Sequence, residues 1–299
     1  MSVLTRTDGA HATAGRTRRQ PGSRAVSAAT TVFMILVAGY MLLPVYWLLV
    51  SSTKSQSDLV TTPGLLPSHW HLGDNLAALF DQGDGVYARW LVNSLLYAGL
   101  GAAVATVLAA AAGYAFAKYA FRGREAVFSL VLGGVLVPAT ALALPLFLLF
   151  AEADATNTFW SVFLPSIVSP FGVYLSRIFA AASVPDEVVE AARMDGAGEF
   201  RIFRTIALRL MAPALVTIFL FQFVVIWNNF LLPLVMLQDD RLYPVTLGLF
   251  TWQSQTSRLP ALQTLTIVGA LVSVVPIVLT FLLLQRYWRA GLAAGAVKS

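Results

Sequence analysis

A chain of 299 residues that is 58% hydrophobic and only 12% charged is too apolar for an ordinary soluble domain, where about a quarter of residues carry charge. Its mean hydropathy of +0.73 places it among proteins that cross a bilayer several times. With no cysteine, disulfides, thiolate catalysis and cysteine-held metal are excluded, and the net charge of +5 bears on topology rather than on an anionic partner.

A basic tail comes first, with Arg6, Arg16, Arg18, Arg19 and Arg24 among Ala, Thr and Gly. Its composition reads as a disordered cytoplasmic tail that orients the chain, with no nucleic-acid role. A helix needs about 20 mostly apolar residues to cross the hydrocarbon. Six stretches qualify: residues 28–50, 90–117, 126–150, 159–176, 212–237 and 262–285. All are too long for transmembrane strands, so the predicted fold is all-α. The first run exceeds a signal-peptide core and ends in Pro44-Val-Tyr-Trp47 without a small-residue cleavage site.

Residues 51–89 read as an outer loop with turn signals at Pro63, Gly64, Pro67 and 81–85, and a short interfacial helix near 75–80. Trp70 and Trp90 suit the membrane boundary. His69-Trp-His71 has no carboxylate nearby in sequence and reads as ordinary loop, so no metal site is expected. The second run is rich in small residues (Gly99, Gly101, 109–112 and Gly113), which suits the inside of a bundle. Pro138, Pro145, Pro165, Pro170, Pro233 and Pro276 predict bends, since each removes a helical hydrogen bond. No internal repeat stands out, and one membrane domain is the economical description.

With the N-terminus inside, six alternating spans leave sixteen of the twenty basic residues on the cytoplasmic side. Only Lys54, Arg89, Arg241 and Arg258 then fall outside. Between their ends the spans hold essentially no ionisable side chain, which weighs against a proton- or ion-coupled carrier. The three lysines, Lys54, Lys118 and Lys298, belong to no phosphate-binding loop, and no catalytic set is present. Energy for any transport must come from another chain.

The longest polar interruption, residues 183–212, carries Glu190-Ala-Ala-Arg-Met-Asp195-Gly196-Ala197. Ser183, Pro185 and Asp186 predict a helix start. Val184, Val188, Ala191 and Ala192 recur at helical spacing, and Gly196 predicts a left-handed stop. Phe200, Phe203, Ile206 and Leu210 predict a second apolar stripe beside Arg201 and Arg204. Such a helix pair is either a docking knob on the inner surface or a plain stabiliser of the bundle.

These residues resemble the EAA loop of ATP-binding-cassette (ABC) importer permeases: Glu190-Ala-Ala, three residues, Gly196, then Phe203, Ile206 and Pro213. Further pieces are similar to the carbohydrate branch, in particular the second permease of maltose-type systems. They are Pro44-x-x-Trp47 with Ser52-x-Lys54, Trp90-x-x-Asn93-Ser94, Gly113-Tyr-Ala-Phe-Ala117 before Phe121-x-Gly123, Asn157-Thr158, Trp227-Asn228-x-Phe230, and the ending from Gln285-Arg286 to Lys298. Arg209, where relatives commonly carry proline, and Ser299, where they end in glycine, depart from the pattern.

The resemblance implies a six-helix type I importer bundle over 28–285, between cytoplasmic tails 1–27 and 286–299, in a bacterial or archaeal cytoplasmic membrane. Glu190, Ala191, Ala192, Asp195, Gly196 and Ala197 would form the coupling helix seated in an ABC ATPase dimer, which itself binds ATP and Mg. Gly295, Ala296, Val297, Lys298 and Ser299 would reach that dimer, and residues 239–260 would receive an extracytoplasmic solute-binding protein. A second permease is expected as partner in a heterodimer, with a sugar as substrate; a polyol, glycerol phosphate or amino acid is the alternative, a secondary carrier a more distant one. Asn93, Ser94, Gln222, Asn228 and Asn229 are candidates to line the substrate path, or else to bond helix to helix.

Overall fold

The computed structural model describes the backbone of residues 22–296 and the side chains of 26–287. All regular structure among them is helical. The chain divides into two units at Trp47/Leu48. Helix α1, Gly22–Ser52, carries exposed apolar side chains all round, among them Phe33, Ile35, Leu36, Met41 and Leu42. A helix apolar on every face suits lipid.

The second unit is built from spans that are broken rather than straight. After α2 (Gln56–Thr61), helix α3 runs Leu72–Leu95, so much of the expected outer loop is helical. The predicted turn survives inside it as a left-handed stretch, with φ of 58° at Gly83, 56° at Asp84 and 76° at Gly85. A π turn, Leu96–Leu100, leads into α4 (Gly101–Lys118). The third apolar run is not one helix: α5 (Arg124–Gly133) and a 3-10 turn meet α6 (Ala139–Glu152) at 103°. Pro138 lies at that corner, where its ring and missing N–H stop α5 and its extended backbone opens α6.

The fourth run breaks between α7 (Phe159–Ser166) and α8 (Pro170–Ser183), where Ser169 Oγ accepts the Gly172 N–H at 3.1 Å and Pro170 occupies the first turn. Two short helices follow, α9 (Asp186–Met194) and α10 (Glu199–Ile202), then a π turn (Phe203–Ala207) and α11 (Leu208–Leu210). The fifth run breaks after α12 (Ala212–Trp227), before α13 (Leu231–Met236). Helices α14 (Val245–Gln255) and α15 (Ala261–Ala296) complete the chain, the last continuing past the predicted end at 285. Four helices are long and apolar enough to cross a membrane, six if each sharply bent pair is one span.

Segments assigned to the same membrane side do meet. Trp90 Nε1 donates to Asp240 O, and Gln238 and Asp239 donate their N–H groups to Asn157 Oδ1. At the other end Arg177 pairs with Glu125 at 2.7 Å, and Lys118 with Asp186 at 2.6 Å. Lys54 is buried, its ammonium donating to Thr62 Oγ1 and Pro63 O.

Two apolar clusters hold the second unit. The first gathers Tyr87, Trp90, Tyr97, Phe163, Trp227 and Trp252; the second, at the opposite end, gathers Tyr114, Ala180, Val184, Val189, Ile202, Ala207 and Met211. Between them α4 and α8 approach at glycine. A Cβ on Gly113 would lie 2.5 Å from Ser176 Cβ and 2.6 Å from the Arg177 backbone nitrogen; one on Gly172 would lie 3.1 Å from Ala109 Cβ. The buried row Ala102, Ala105, Ala109 and Ala110 is the small-residue face expected of the second run. Gly113→Val should therefore lower thermal stability in detergent by an amount corresponding to about 1–3 kcal/mol. Gly99→Ala, whose Cβ would meet nothing within 4 Å, should not.

Candidate functional site

The segment between α8 and α12 folds into a knob. Helix α8 runs through Ser183, whose Oγ donates to Phe179 O, so Ser183 does not cap α9 as expected. Pro185 takes the N-cap position without a side-chain bond, and Asp186 opens the first turn. The stop at Gly196 is as read: φ is +79°, Gly196 N–H donates to Arg193 O and Ala197 N–H to Ala192 O, both at 3.0 Å. These are the two bonds of a Schellman motif, the ending that glycine in the left-handed region permits.

The faces differ from those predicted. On α9 the buried side chain is Val189, with Ala192 half-buried, whereas Val188 and Ala191 face outward. After Gly198 the buried positions are Ile202, Ala207 and Met211, not Phe200 and Leu210, which are 75% and 41% exposed. The π turn at Phe203–Ala207 is the cause, because its extra residue rotates all later positions relative to a 3.6-residue pattern. Phe203 and Ile206 still pack against the cluster. Of the six residues read as coupling positions, Ala192 and Ala197 pack inward, while Glu190, Ala191, Asp195 and Gly196 are exposed. Around them Val188, Met194 (88% exposed) and Phe200 form an uncovered apolar surface.

Polar bonds tie the knob to the end of α4. The Lys118 side chain is only 5% exposed and donates to Asp186 Oδ1. Tyr119 OH donates to Glu199 Oε2 at 2.8 Å, and Arg193 Nε donates to Glu199 Oε1 at 2.7 Å. The Arg193 guanidinium, and after it the Tyr119 hydroxyl, hold the Glu199 carboxyl below the usual range. None of these partners was legible in the sequence.

At the breaks of three spans lies a cavity of about 350 Å³. It is lined by Val137, Thr140, Ser166, Pro170, Gln222 and Asn229 among others, and by no charged side chain. Gln222 Nε2 donates to Ser166 O, and Asn229 Oδ1 accepts the Leu232 N–H. The structure thus brings two of the five path candidates together. Asn228 Nδ2 is turned back to Val224 O of its own helix. Asn93 Nδ2 donates to Arg241 O and Tyr243 O, and Ser94 Oγ accepts the Val245 N–H, so both staple the 239–245 segment. Thr140 and Ser166 join the lining unforeseen; their proximity to Pro138 and Pro165 was the available signal.

Among the described residues no group of three His, Asp or Glu side chains could hold a metal ion. His69 and His71 instead approach Asp58 and Asp74, at 3.9 and 3.5 Å. Gly295 and Ala296 lie in α15, with only their backbone described; Val297, Lys298 and Ser299, like tail residues 1–21, lie outside the described residues.

The chain is similar over nearly its whole length to membrane components of transport systems. It is 34% identical over 285 residues to the arabinooligosaccharides transport system permease protein AraQ of Bacillus subtilis, covering 94% of this chain and 99% of that protein. It is 32% identical to the lactose transport system permease protein LacG of Rhizobium radiobacter, covering 88% and 93%. It is 34% identical to the trehalose transport system permease protein SugB of Mycobacterium tuberculosis, covering 88% and 94%. In fold it matches a chain of a bacterial ABC transporter involved in the import of the acidic polysaccharide alginate, with a TM-score of 0.78 over 90% of this chain and 98% of that one, at 20% identity. A family model matches residues 101–292, from the start of α4 into α15. The chain belongs to the family of binding-protein-dependent transport system inner membrane components.

Proposed function

We propose that this chain is a permease subunit of an ATP-driven sugar importer, forming part of the translocation path and coupling it to a separate ATPase. The observation that carries the coupling role is the two-sided knob. One side is sealed against α4 and α8, while Glu190, Ala191, Asp195 and Gly196 stand outward amid uncovered Val188, Met194 and Phe200. Apolar surface presented by a rigid hairpin suits a protein groove better than water. Its occupant is the ABC ATPase dimer, which holds ATP and Mg. Both termini lie in the cytoplasm, in keeping with the distribution of basic residues, and the residues from Gly295 to Ser299 reach toward the ATPase. Residues 239–260 receive the solute-binding protein, and a second, different permease completes the path.

The cavity at the span breaks is the substrate path of this subunit. Breaks in spans place backbone polar groups and amide side chains at membrane depth, and hydroxyl-rich solutes match such lining. The lack of charged lining favours an uncharged solute over an anionic one. The names of the relatives point to oligosaccharides and disaccharides.

Gly196→Val forces a β-branched residue into the left-handed region, a strain of about 1–2 kcal/mol. Uptake of a panel of lactose, trehalose and arabinooligosaccharide should fall about tenfold or more, with the chain still at normal level in the membrane. Unchanged uptake would remove the coupling role. Gln222→Leu and Asn229→Ala should change the KM or the sugar preference of uptake. Asn93→Ala, which unpins the 239–243 segment, should lower stability without changing preference.

A further inference from the structure

One element joins the cavity to the knob. Helix α8 begins at Pro170, in the cavity wall, and ends at Ser183, one residue before Val184 enters the knob's apolar cluster. Its 14 residues span about 21 Å. Along this length it is clamped to α4, since Gly113 and Gly172 let the two backbones close to where no Cβ fits at Gly113. Arg177, midway, pairs with Glu125 and stands 4.0 Å over the Phe128 ring, adding α5 to the clamp. Beyond the 103° corner at Pro138, α6 packs elsewhere, against α13.

We infer that α8, backed by α4, is a rigid rod that carries displacement of the knob to the cavity wall, and that Lys118 and Tyr119 are the positioning residues that fix the knob on it. The inference rests on the proposed docking of the ATPase at α9. A half-exposed pair such as Arg193–Glu199 contributes little stability; what the bonds from Lys118 to Asp186 and from Tyr119 to Glu199 add is direction. The apolar cluster holds the knob against α4, and the two bonds on α4's last residues stop it pivoting there. A push on α9 then moves the Val168–Pro170 side of the cavity, while the α6 side stays behind.

The chain has no cysteine, so spin labels can be placed singly. Phe171→Cys at the cavity end of α8 and Arg201→Cys on the knob are both exposed, as is Leu144→Cys on α6. Distances are measured by electron paramagnetic resonance in the complex purified from its native membrane, without nucleotide and with Mg-ATP and vanadate. The rod requires an unchanged 171–201 distance and a changed 144–171 distance. A 171–201 distance that shifts with nucleotide overturns it, as does an unchanged 144–171 distance. In the same background, Asp186→Asn combined with Tyr119→Phe should broaden the 171–201 distribution while the detergent-extracted yield persists. An equally narrow distribution overturns the positioning role. Whether an ATPase co-purifies with the unlabelled chain is scored separately: its absence defeats the docking reading and the rod with it, whereas its presence with a flexing rod defeats the rod alone.

Discussion

Hydrocarbon offers no hydrogen-bond partner, so each interruption of a span must be answered by protein, and this constraint organises the molecule. The break before α8 is answered by Ser169 Oγ, which takes the Gly172 N–H, and by Gln222 from α12, which donates to Ser166 O. The break after α12 is answered by Asn229, whose side chain takes the Leu232 N–H while its carbonyl accepts from Thr246 Oγ1. These answers lie beside the corner at Pro138, so three interruptions share one neighbourhood. Bent helices leave volume, and the amides that repair them supply its polarity. The cavity is thus a consequence of where the backbone is allowed to break.

The two ends of the second unit are held by different chemistry. At the end carrying residues 239–245, side chains are spent on carbonyls and N–H groups: Trp90, Asn93, Ser94, Tyr97 and Asn157 all bond to that segment's backbone. Each such bond is worth about 1 kcal/mol, and together they fix a loop that has little regular structure. At the other end an apolar cluster seats the knob, and a few ion pairs set its angle. Apolar contact tolerates sliding better than a set of directional bonds does. A firm outer rim and an inner end able to move as one body are what a pump driven from one side needs.

The spans, their sidedness relative to one another and the stop at Gly196 were all legible, because hydropathy, proline and glycine act locally. Registers and partners were not. The pattern Phe200, Phe203, Ile206 and Leu210 fits a regular helix, and nothing in those letters announces the π turn that buries Ile202, Ala207 and Met211 instead. Ser183 looked like a cap because serine before Val-Pro often is one, yet α8 continues through it. Asn93 and Asn229 are the same residue type near the ends of apolar runs. One staples a loop and the other lines a cavity, and only the fold separates them. Lys118 and Asp186 stand 68 positions apart and meet because α4 and α8 close on Gly113.

The central claim is that the exposed face of α9 is a seat for a separate ATPase. The most direct test is to extract the tagged chain gently from its native membrane and identify by mass spectrometry what comes with it. The account predicts an ABC ATPase and a second permease, recovered together. Reproducible recovery of this chain alone, still able to transport sugar in vesicles lacking ATP, would contradict it.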